Sequence, residues 1–194
     1  FPSIDSKIGE DAMSDAIIGY LRAHERVVWT LPGGSNVPIS VSVLKKVRKI
    51  LGENELANLV IMQVDERYGV PGHKDSNWTQ LLELNFPTKG ILTHPLLRGL
   101  TLEETARVYS KIVDEEFEKA DYVIGQFGMG PDGHIAGLFP NSRGFEATES
   151  VCGYDYPGTF TRLSLTVDAL RKIDRAFVFV FGESKRQAVE RMKA

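Results

Sequence analysis

Short continuous apolar runs alternate in this chain with longer amphipathic segments, and this alternation constrains the fold more than any other feature. The runs Val27–Leu31, Leu59–Val64 and Asp121–Phe127 have the length and composition of strands that are buried on both faces. Segments with helical spacing of apolar residues lie between them. Because such strands need covering on both sides, we expect a three-layer α/β/α fold with a mostly parallel, Rossmann-like sheet.

Capping signals indicate where the helices begin. Asp5 or Ser6 is placed to cap a first helix, and Ser76 is placed to cap a short one. Thr101 and Glu104 form a capping box for a longer helix, which we expect to end near residue 119. Three more elements are predicted near the carboxyl terminus, namely strands at 163–165 and 176–181 and a closing helix at 185–192.

Composition narrows the class of protein. A chain of 194 residues suits one α/β domain, and we expect residues 1–194 to form it. Cys152 is the only cysteine, so neither an intrachain disulfide nor a cysteine metal cluster can form, and a reducing cytoplasm fits best. No apolar run approaches the roughly 20 residues of a membrane helix, and the first residues do not read as a signal peptide. The net charge of −3, with both signs mixed, argues against nucleic acid as a partner.

Three unusual loops follow predicted strands, at residues 32–36, 65–77 and 128–134. In open α/β sheets, ligands bind outside the carboxyl ends of the strands. We therefore expect the three loops to meet at one edge of the sheet and to form a binding site there.

The first two loops offer groups that bind anions. Gly33, Gly34 and Ser35 stand between a strand and a helix, where backbone N–H groups and a hydroxyl can hold a phosphate. An ordinary turn with a capping serine is an equal alternative. Arg67 can bind a phosphate through two hydrogen bonds, and the carboxylates of Asp65 and Glu66 can hold sugar hydroxyls or orient Arg67. Lys185 either reaches an anion at this edge or lies on a helix surface.

The third loop combines glycines with a carboxylate and an imidazole. Its glycines, including Gly130, match the dinucleotide fingerprint literally, but Pro131 interrupts the match and the run lies late in the chain. We therefore reject a nicotinamide cofactor. The remaining hypothesis is acid–base chemistry, with His134 as the base and Asp132 holding its ring or polarising a substrate hydroxyl. A turn without catalytic function explains the local sequence equally well. His73 and Asp75 match no strong metal signature, so no metal is expected.

Taken together, these segments resemble the 6-phosphogluconolactonase family, which shares its fold with glucosamine-6-phosphate deaminases, ribose-5-phosphate isomerases and CoA transferases. The most specific part is Asp-Gly-His-x-Ala-x-Leu-Phe-Pro at 132–140, and the matching pieces occur in the family's order at 33–35, 65–67, 73–77, 128–140, 162–166 and 182–185. The resemblance implies hydrolysis of 6-phospho-D-glucono-1,5-lactone in the pentose phosphate pathway, with His134 as general base on water. Residues 33–35 and Arg67 would hold the phosphate, and Gly130 is a further expected substrate contact. No cofactor, metal or covalent intermediate is implied, and the oligomeric state stays open.

Two alternative functions stay open beside this resemblance, and the chain departs from the family pattern just before the strand at 162–166. Deaminases carry a glutamate where this chain has Phe139, and an apolar ring cannot transfer a proton, so deamination is disfavoured. A sugar-phosphate-binding protein without catalysis is the second alternative. Lactonases usually have a Lys-Pro-Pro segment before the strand at 162–166, whereas residues 154–160 contain no lysine. Arg143 or Lys185 is the expected replacement for that phosphate contact.

Overall fold

The computed structural model describes residues 6–193, so the candidate cap Asp5 lies outside the described residues. Seven α-helices are present in the described chain, together with short 3₁₀ turns at 34–36, 143–145 and 183–185. In chain order the helices are α1 Lys7–Arg22, α2 Val37–Ile50, α3 Glu53–Leu56, α4 Asn77–Glu83, α5 Leu102–Lys119, α6 Val167–Leu170 and α7 Arg186–Lys193.

Eight strands form two sheets in the described residues. The strands are β1 Val27–Leu31, β2 Leu59–Gln63, β3 Asp65–Arg67, β4 Leu92–Thr93, β5 Tyr122–Phe127, β6 Val151–Tyr154, β7 Arg162–Leu165 and β8 Arg175–Val178. The larger sheet has the order β4-β2-β1-β5-β8, and all its pairings are parallel. The smaller sheet has the order β3-β7-β6 and is antiparallel. The predicted α/β fold with a mostly parallel sheet is confirmed.

The three central strands of the larger sheet, β2, β1 and β5, are buried on both faces, as their apolar runs predicted, whereas the edge strands β4 and β8 are largely exposed. Along β1, Trp29 belongs to a hydrophobic cluster with α1 and α2, whereas the adjacent Val28 belongs to a second cluster with α5. The same alternation holds in β2, where Ile61 joins the first cluster and Met62 the second. Because successive side chains of a strand point to opposite faces, a continuous apolar run fills both layers.

Most capping predictions are confirmed. The Ser76 hydroxyl accepts a hydrogen bond from the N–H of Thr79, and Thr101 and Glu104 form the predicted capping box at the start of α5. Ser6 behaves differently, because its hydroxyl donates to the Glu10 carboxylate at 2.6 Å and caps no helix N–H.

The small antiparallel sheet is where the structure departs most from the sequence analysis. The sequence predicts a loop at residues 65–67, but they form β3 and pair with β7, with Asp65 opposite Ser164 and Arg67 opposite Arg162. The polar side chains of residues 65–67 do not have the pattern of a strand, and the partner strand β7 lies far along the chain. β7 was predicted as a strand, yet it runs antiparallel in the smaller sheet. The smaller sheet packs on α5 and so extends the layer on that face.

Among the described residues, no helix is both long and apolar enough to span a membrane.

Candidate active site

A cleft of about 240 Å³ lies at the carboxyl edge of the larger sheet. The loops that follow β1, β5 and β8 form it, together with β3, which follows β2. The chain places β2 and β4 on one side of β1 and β5 on the other, and this reversal of strand order is where open α/β sheets bind ligands. The predicted site residues that line the cleft are Gly33–Ser35, Asp65, Arg67, Gly130, His134 and Lys185, whereas Asp132 and Glu66 do not line it.

The turn after β1 needs its glycines. A Cβ atom at Gly33 would stand 1.9 Å from Oδ1 of Asn77, and Gly34 has φ +64°, a conformation that side chains other than glycine rarely adopt. No side chain caps the turn, so the alternative of a capping serine is not supported. Instead, the exposed Ser35 lines the cleft directly ahead of α2, where helix-start N–H groups favour an anion.

The acidic residues of β3 have different roles. Glu66 is fully buried and accepts hydrogen bonds from the backbone N–H groups of Asn77 and Trp78 at 2.7 and 3.0 Å, so it holds the start of α4. Asp65 lines the cleft. Arg67 also lines it, while its Nη1 donates to the carbonyl oxygen of Asp75 at 2.8 Å, which fixes the side chain at the cleft wall.

Arg162 lines the cleft, although it is not among the predicted site residues. It begins β7, lines the cleft, and its Nη1 lies 3.4 Å from Oδ2 of Asp65. Both side chains are largely buried, at 12% and 8% exposure. Burial raises the pKa of Asp65 to about 6, although the positive charge of Arg162 opposes this. Burial likewise lowers the pKa of Arg162, opposed by Asp65. An arginine at a strand start has no local mark of a buried pair, so only its place in the resembling segment 162–166 pointed to it.

His134 lies on a tight loop after β5. The N–H of Gly130 donates to the carbonyl oxygen of His134 at 2.8 Å, and the N–H of Gly133 donates to that of Gly130 at 3.0 Å. A Cβ atom at Gly130 would stand 2.2 Å from Nδ1 of His134, so glycine is needed for the imidazole to occupy its place. Residues 128–142 continue as a loop with no helix, in agreement with the rejection of a dinucleotide fingerprint.

The small sheet anchors this loop through Gly137. The N–H of Gly137 donates to the Ser164 hydroxyl of β7 at 3.1 Å, and the Tyr154 hydroxyl of β6 donates to the carbonyl oxygen of Gly137. The loop that carries the imidazole is therefore tied to both β6 and β7.

Asp132 holds the imidazole ring rather than lining the cleft. Its Oδ1 lies 2.6 Å from Nδ1 of His134 and also accepts from the His134 N–H at 3.2 Å. Partial burial acts to raise the pKa of Asp132, but these hydrogen bonds lower it below its ordinary value. An ionised carboxylate can only accept a hydrogen bond, so Nδ1 carries the proton and Nε2 of the neutral ring is free to accept one. The pair can therefore activate a water molecule.

The cleft has an excess of positive charge. Arg67, Arg162 and Lys185 line it against a single carboxylate, Asp65. Lys185 makes no ion pair with the residues that the structure describes. Arg143, the other expected replacement for the lactonase lysine, lies outside this cleft, in a separate groove beside Tyr156. Of these two cations, only Lys185 is placed to meet an anion in the cleft.

The metal-ligand candidates have another role. Nε2 of His73 lies 3.0 Å from the carbonyl oxygen of Arg67, so this imidazole closes the loop that follows β3. Within residues 6–193, no three His, Cys, Asp or Glu side chains come together as a metal site.

Comparison with known proteins agrees with this geometry. The sequence profile of the family described as glucosamine-6-phosphate isomerases/6-phosphogluconolactonase matches residues 9–194. A 6-phosphogluconolactonase of Helicobacter pylori is 28% identical over 176 residues, which cover 88% of this chain and 74% of the relative. One of Neisseria meningitidis is 29% identical over 191 residues, covering 91% and 78%.

Solved structures show the same fold. A 6-phosphogluconolactonase from Thermotoga maritima superposes with a TM-score of 0.76 at 21% identity, covering 97% of this chain and 86% of that one. A monomeric glucosamine-6-phosphate deaminase superposes with a TM-score of 0.70 at 19% identity, covering 97% and 82%. At these identities, the two enzymes establish a common fold and do not distinguish between the two reactions.

Proposed function

Because this chain belongs to the family of glucosamine-6-phosphate isomerases and 6-phosphogluconolactonases, we propose that it hydrolyses 6-phospho-D-glucono-1,5-lactone to 6-phosphogluconate. The observation that carries the proposal is the Asp132–His134 pair, which presents an imidazole base to a cleft lined with cations. The named relatives at 28% and 29% identity support the lactone as substrate. The proposal includes a cytoplasmic location, which the single free Cys152 fits.

The proposed mechanism is general base catalysis on water. Nε2 of His134 takes a proton from a water molecule, whose oxygen adds to the lactone carbonyl carbon to form a tetrahedral oxyanion. Collapse of this intermediate breaks the bond between the carbonyl carbon and the ring oxygen. The imidazolium returns its proton to that oxygen, so the products are the open-chain carboxylic acid and the unprotonated base. The acid then releases its proton to the solvent and becomes the carboxylate of 6-phosphogluconate. Asp132 stabilises the imidazolium through the 2.6 Å contact to Nδ1.

We assign the sugar phosphate to residues 33–35, Arg67 and Lys185, all of which line the cleft. Arg67 offers a fork of N–H donors and Lys185 a point charge, while the turn before α2 adds backbone N–H groups. Lys185 takes the place of the lysine that residues 154–160 lack. Burial raises the pKa of Asp65 to about 6, and its carboxyl group is placed to bind a sugar hydroxyl as donor or acceptor. No metal or organic cofactor takes part in this scheme.

The competing deaminase activity has less support from the site. Its ring-opening glutamate is replaced by Phe139, whose side chain is 9% exposed and lies against the His134 ring. A buried apolar ring at that position can neither donate nor accept the proton that deamination requires.

A direct assay tests the proposal. The purified protein is given 6-phosphogluconolactone, its unphosphorylated analogue and glucosamine-6-phosphate, with spontaneous lactone hydrolysis subtracted. We expect turnover of the phosphorylated lactone, a much higher KM for the unphosphorylated lactone, and no ammonia from the amino sugar. Turnover of glucosamine-6-phosphate alone would overturn the assignment, and binding of the lactone without turnover would indicate a sugar-phosphate-binding protein.

A further inference from the structure

Phe139 lies directly against the imidazole of the active-site base. The ring centroids of His134 and Phe139 are 4.1 Å apart with an angle of 35° between the ring planes. Phe139 is in turn stacked on Tyr156, at 4.6 Å and 21°. We call these three side chains the aromatic stack. It places a flat apolar surface beside the one ring whose orientation matters most for proton transfer.

The hydrogen bond to Asp132 does not by itself fix the plane of the imidazole. The last torsion of a histidine side chain is broad, so rotamer preference leaves the ring plane only weakly defined. A single contact from Nδ1 to Oδ1 sets the position of one edge but permits rotation about that contact. A second contact, on the face of the ring, is needed to hold the direction in which Nε2 points.

The ring of Phe139 is itself held in place by packing against other side chains. It belongs to a small buried cluster with Cys152 and Tyr154 of β6, and Tyr156 packs against that cluster. These residues stand on or beside the smaller sheet and not on the loop that carries His134. The position of the phenyl ring is therefore set by another part of the fold, and it can act as a fixed wall for the imidazole.

We propose that Phe139 is a positioning residue, which holds the imidazole plane of His134 so that Nε2 faces the attacking water. The inference rests on the proposed hydrolysis and deepens it. Phe139 transfers no proton; it restricts the ring that does. Misplacing a reacting group by about 1 Å can reduce a rate by roughly 10²-fold, so loss of the stack should chiefly affect kcat.

Two substitutions at the same position separate stacking from bulk. Phe139→Leu keeps an apolar side chain but removes the flat ring, and we expect kcat to fall roughly 10- to 100-fold with KM changed less than about twofold. Phe139→Tyr restores the ring and should keep kcat within about threefold of wild type. Cys152→Ala is the matched control, because it trims the same cluster and leaves the aromatic stack intact. It should lower the melting temperature without lowering kcat.

The NMR resonance of the His134 Cε1 proton gives a readout that does not depend on activity. Ring current from Phe139 should shift this resonance in wild type and in Phe139→Tyr, and the shift should disappear in Phe139→Leu. Full kcat in Phe139→Leu would overturn the inference while leaving the proposed function in place. An unchanged resonance in Phe139→Leu would overturn the stacking itself. If wild type hydrolyses no lactone, the proposed function fails, and the resonance still decides whether Phe139 orders the ring.

Discussion

Two aspartates from different parts of the fold contribute to the same site, and their surroundings shift the pKa values of the two carboxyl groups in opposite directions. Asp132 stands on the glycine loop after β5, and its pKa is lowered because hydrogen bonds from His134 outweigh partial burial. Asp65 stands on the small antiparallel sheet, and burial raises its pKa to about 6 even though Arg162 lies beside it. The distances differ as well, at 2.6 Å for Asp132 to His134 and 3.4 Å for Asp65 to Arg162.

A neighbouring cation does not by itself hold the pKa of a carboxyl group at its ordinary value. A short hydrogen bond at a partly exposed site favours the charged form, whereas a longer contact in a buried site does not compensate for lost hydration. The loop pair is therefore suited to proton transfer. The pair on the small sheet is suited to binding uncharged hydroxyl groups.

The largest expected effect tests the loop pair directly. His134→Ala removes the base, and kcat for the phosphorylated lactone should fall roughly 10²- to 10⁴-fold. Steady-state kinetics with spontaneous hydrolysis subtracted measure this change. His24→Asn is the control, since His24 is exposed, far from the cleft, and has φ +64°, which asparagine tolerates. A loss of less than tenfold in His134→Ala would exclude it as the general base.

The next effect concerns the carboxylate of the same pair. Asp132→Asn removes the charge that keeps the proton on Nδ1 of His134. The fraction of enzyme molecules with an unprotonated Nε2 therefore falls, and kcat should drop roughly 10²-fold. KM should change little. Asp75→Asn is a matched control, because only the backbone carbonyl of Asp75 contacts Arg67. Wild-type kcat in Asp132→Asn would show that Asp132 does not set the tautomer.

The pair on the small sheet is tested by the pH dependence of stability. The pKa of Asp65 is raised in the folded state, so its contribution to stability is fully present below pH 3.8 and is lost as pH rises through about 6. Relative to Asp65→Asn, wild type should lose up to about 3 kcal/mol of unfolding free energy over this window, at 1.36 kcal/mol per pKa unit. Urea unfolding of both proteins at several pH values measures the difference. A gain of stability with rising pH would mean that the charge of Arg162 dominates over burial.

The smallest effect concerns phosphate binding. Lys185→Ala should raise KM for the phosphorylated lactone roughly tenfold and leave kcat nearly unchanged, because the contact is the same in the ground and transition states. Arg143→Ala serves as the control, since Arg143 lies in the separate groove and should not affect KM. Equal effects of the two substitutions would remove Lys185 as the replacement for the lactonase lysine.

Local patterns predicted four of the five strands of the larger sheet. β4 was not predicted, and β8 ends at Val178 and not at residue 181. β1 has the predicted bounds, Val27–Leu31, and α5 begins at the predicted capping box. These predictions succeed because a few adjacent residues are enough to indicate burial on both faces of a strand or the capping of a helix. The three loops also meet at one edge as predicted, since parallel strands bring their carboxyl ends together.

In the smaller sheet β7 was predicted as a strand, but β3 and β6 escaped prediction for the opposite reason. β3 consists of Asp65, Glu66 and Arg67, a charged triplet that reads as a solvated loop. It becomes a strand only because it pairs with β7, and that pairing joins residues far apart in the chain. Arg162 escaped assignment to the site in the same way, because its burial depends on this pairing.

The sequence by itself determined the order of the longer helices and of four strands of the larger sheet, the glycine loop that carries His134, and the family resemblance that implied lactone hydrolysis. Those features depend on residues close together in the chain. Only the tertiary structure decided that Asp65 is buried beside Arg162, that Lys185 and not Arg143 lines the cleft, and that Phe139 lies against the imidazole. The physical reason is that desolvation and ring contacts arise between distant segments, so no local pattern encodes them.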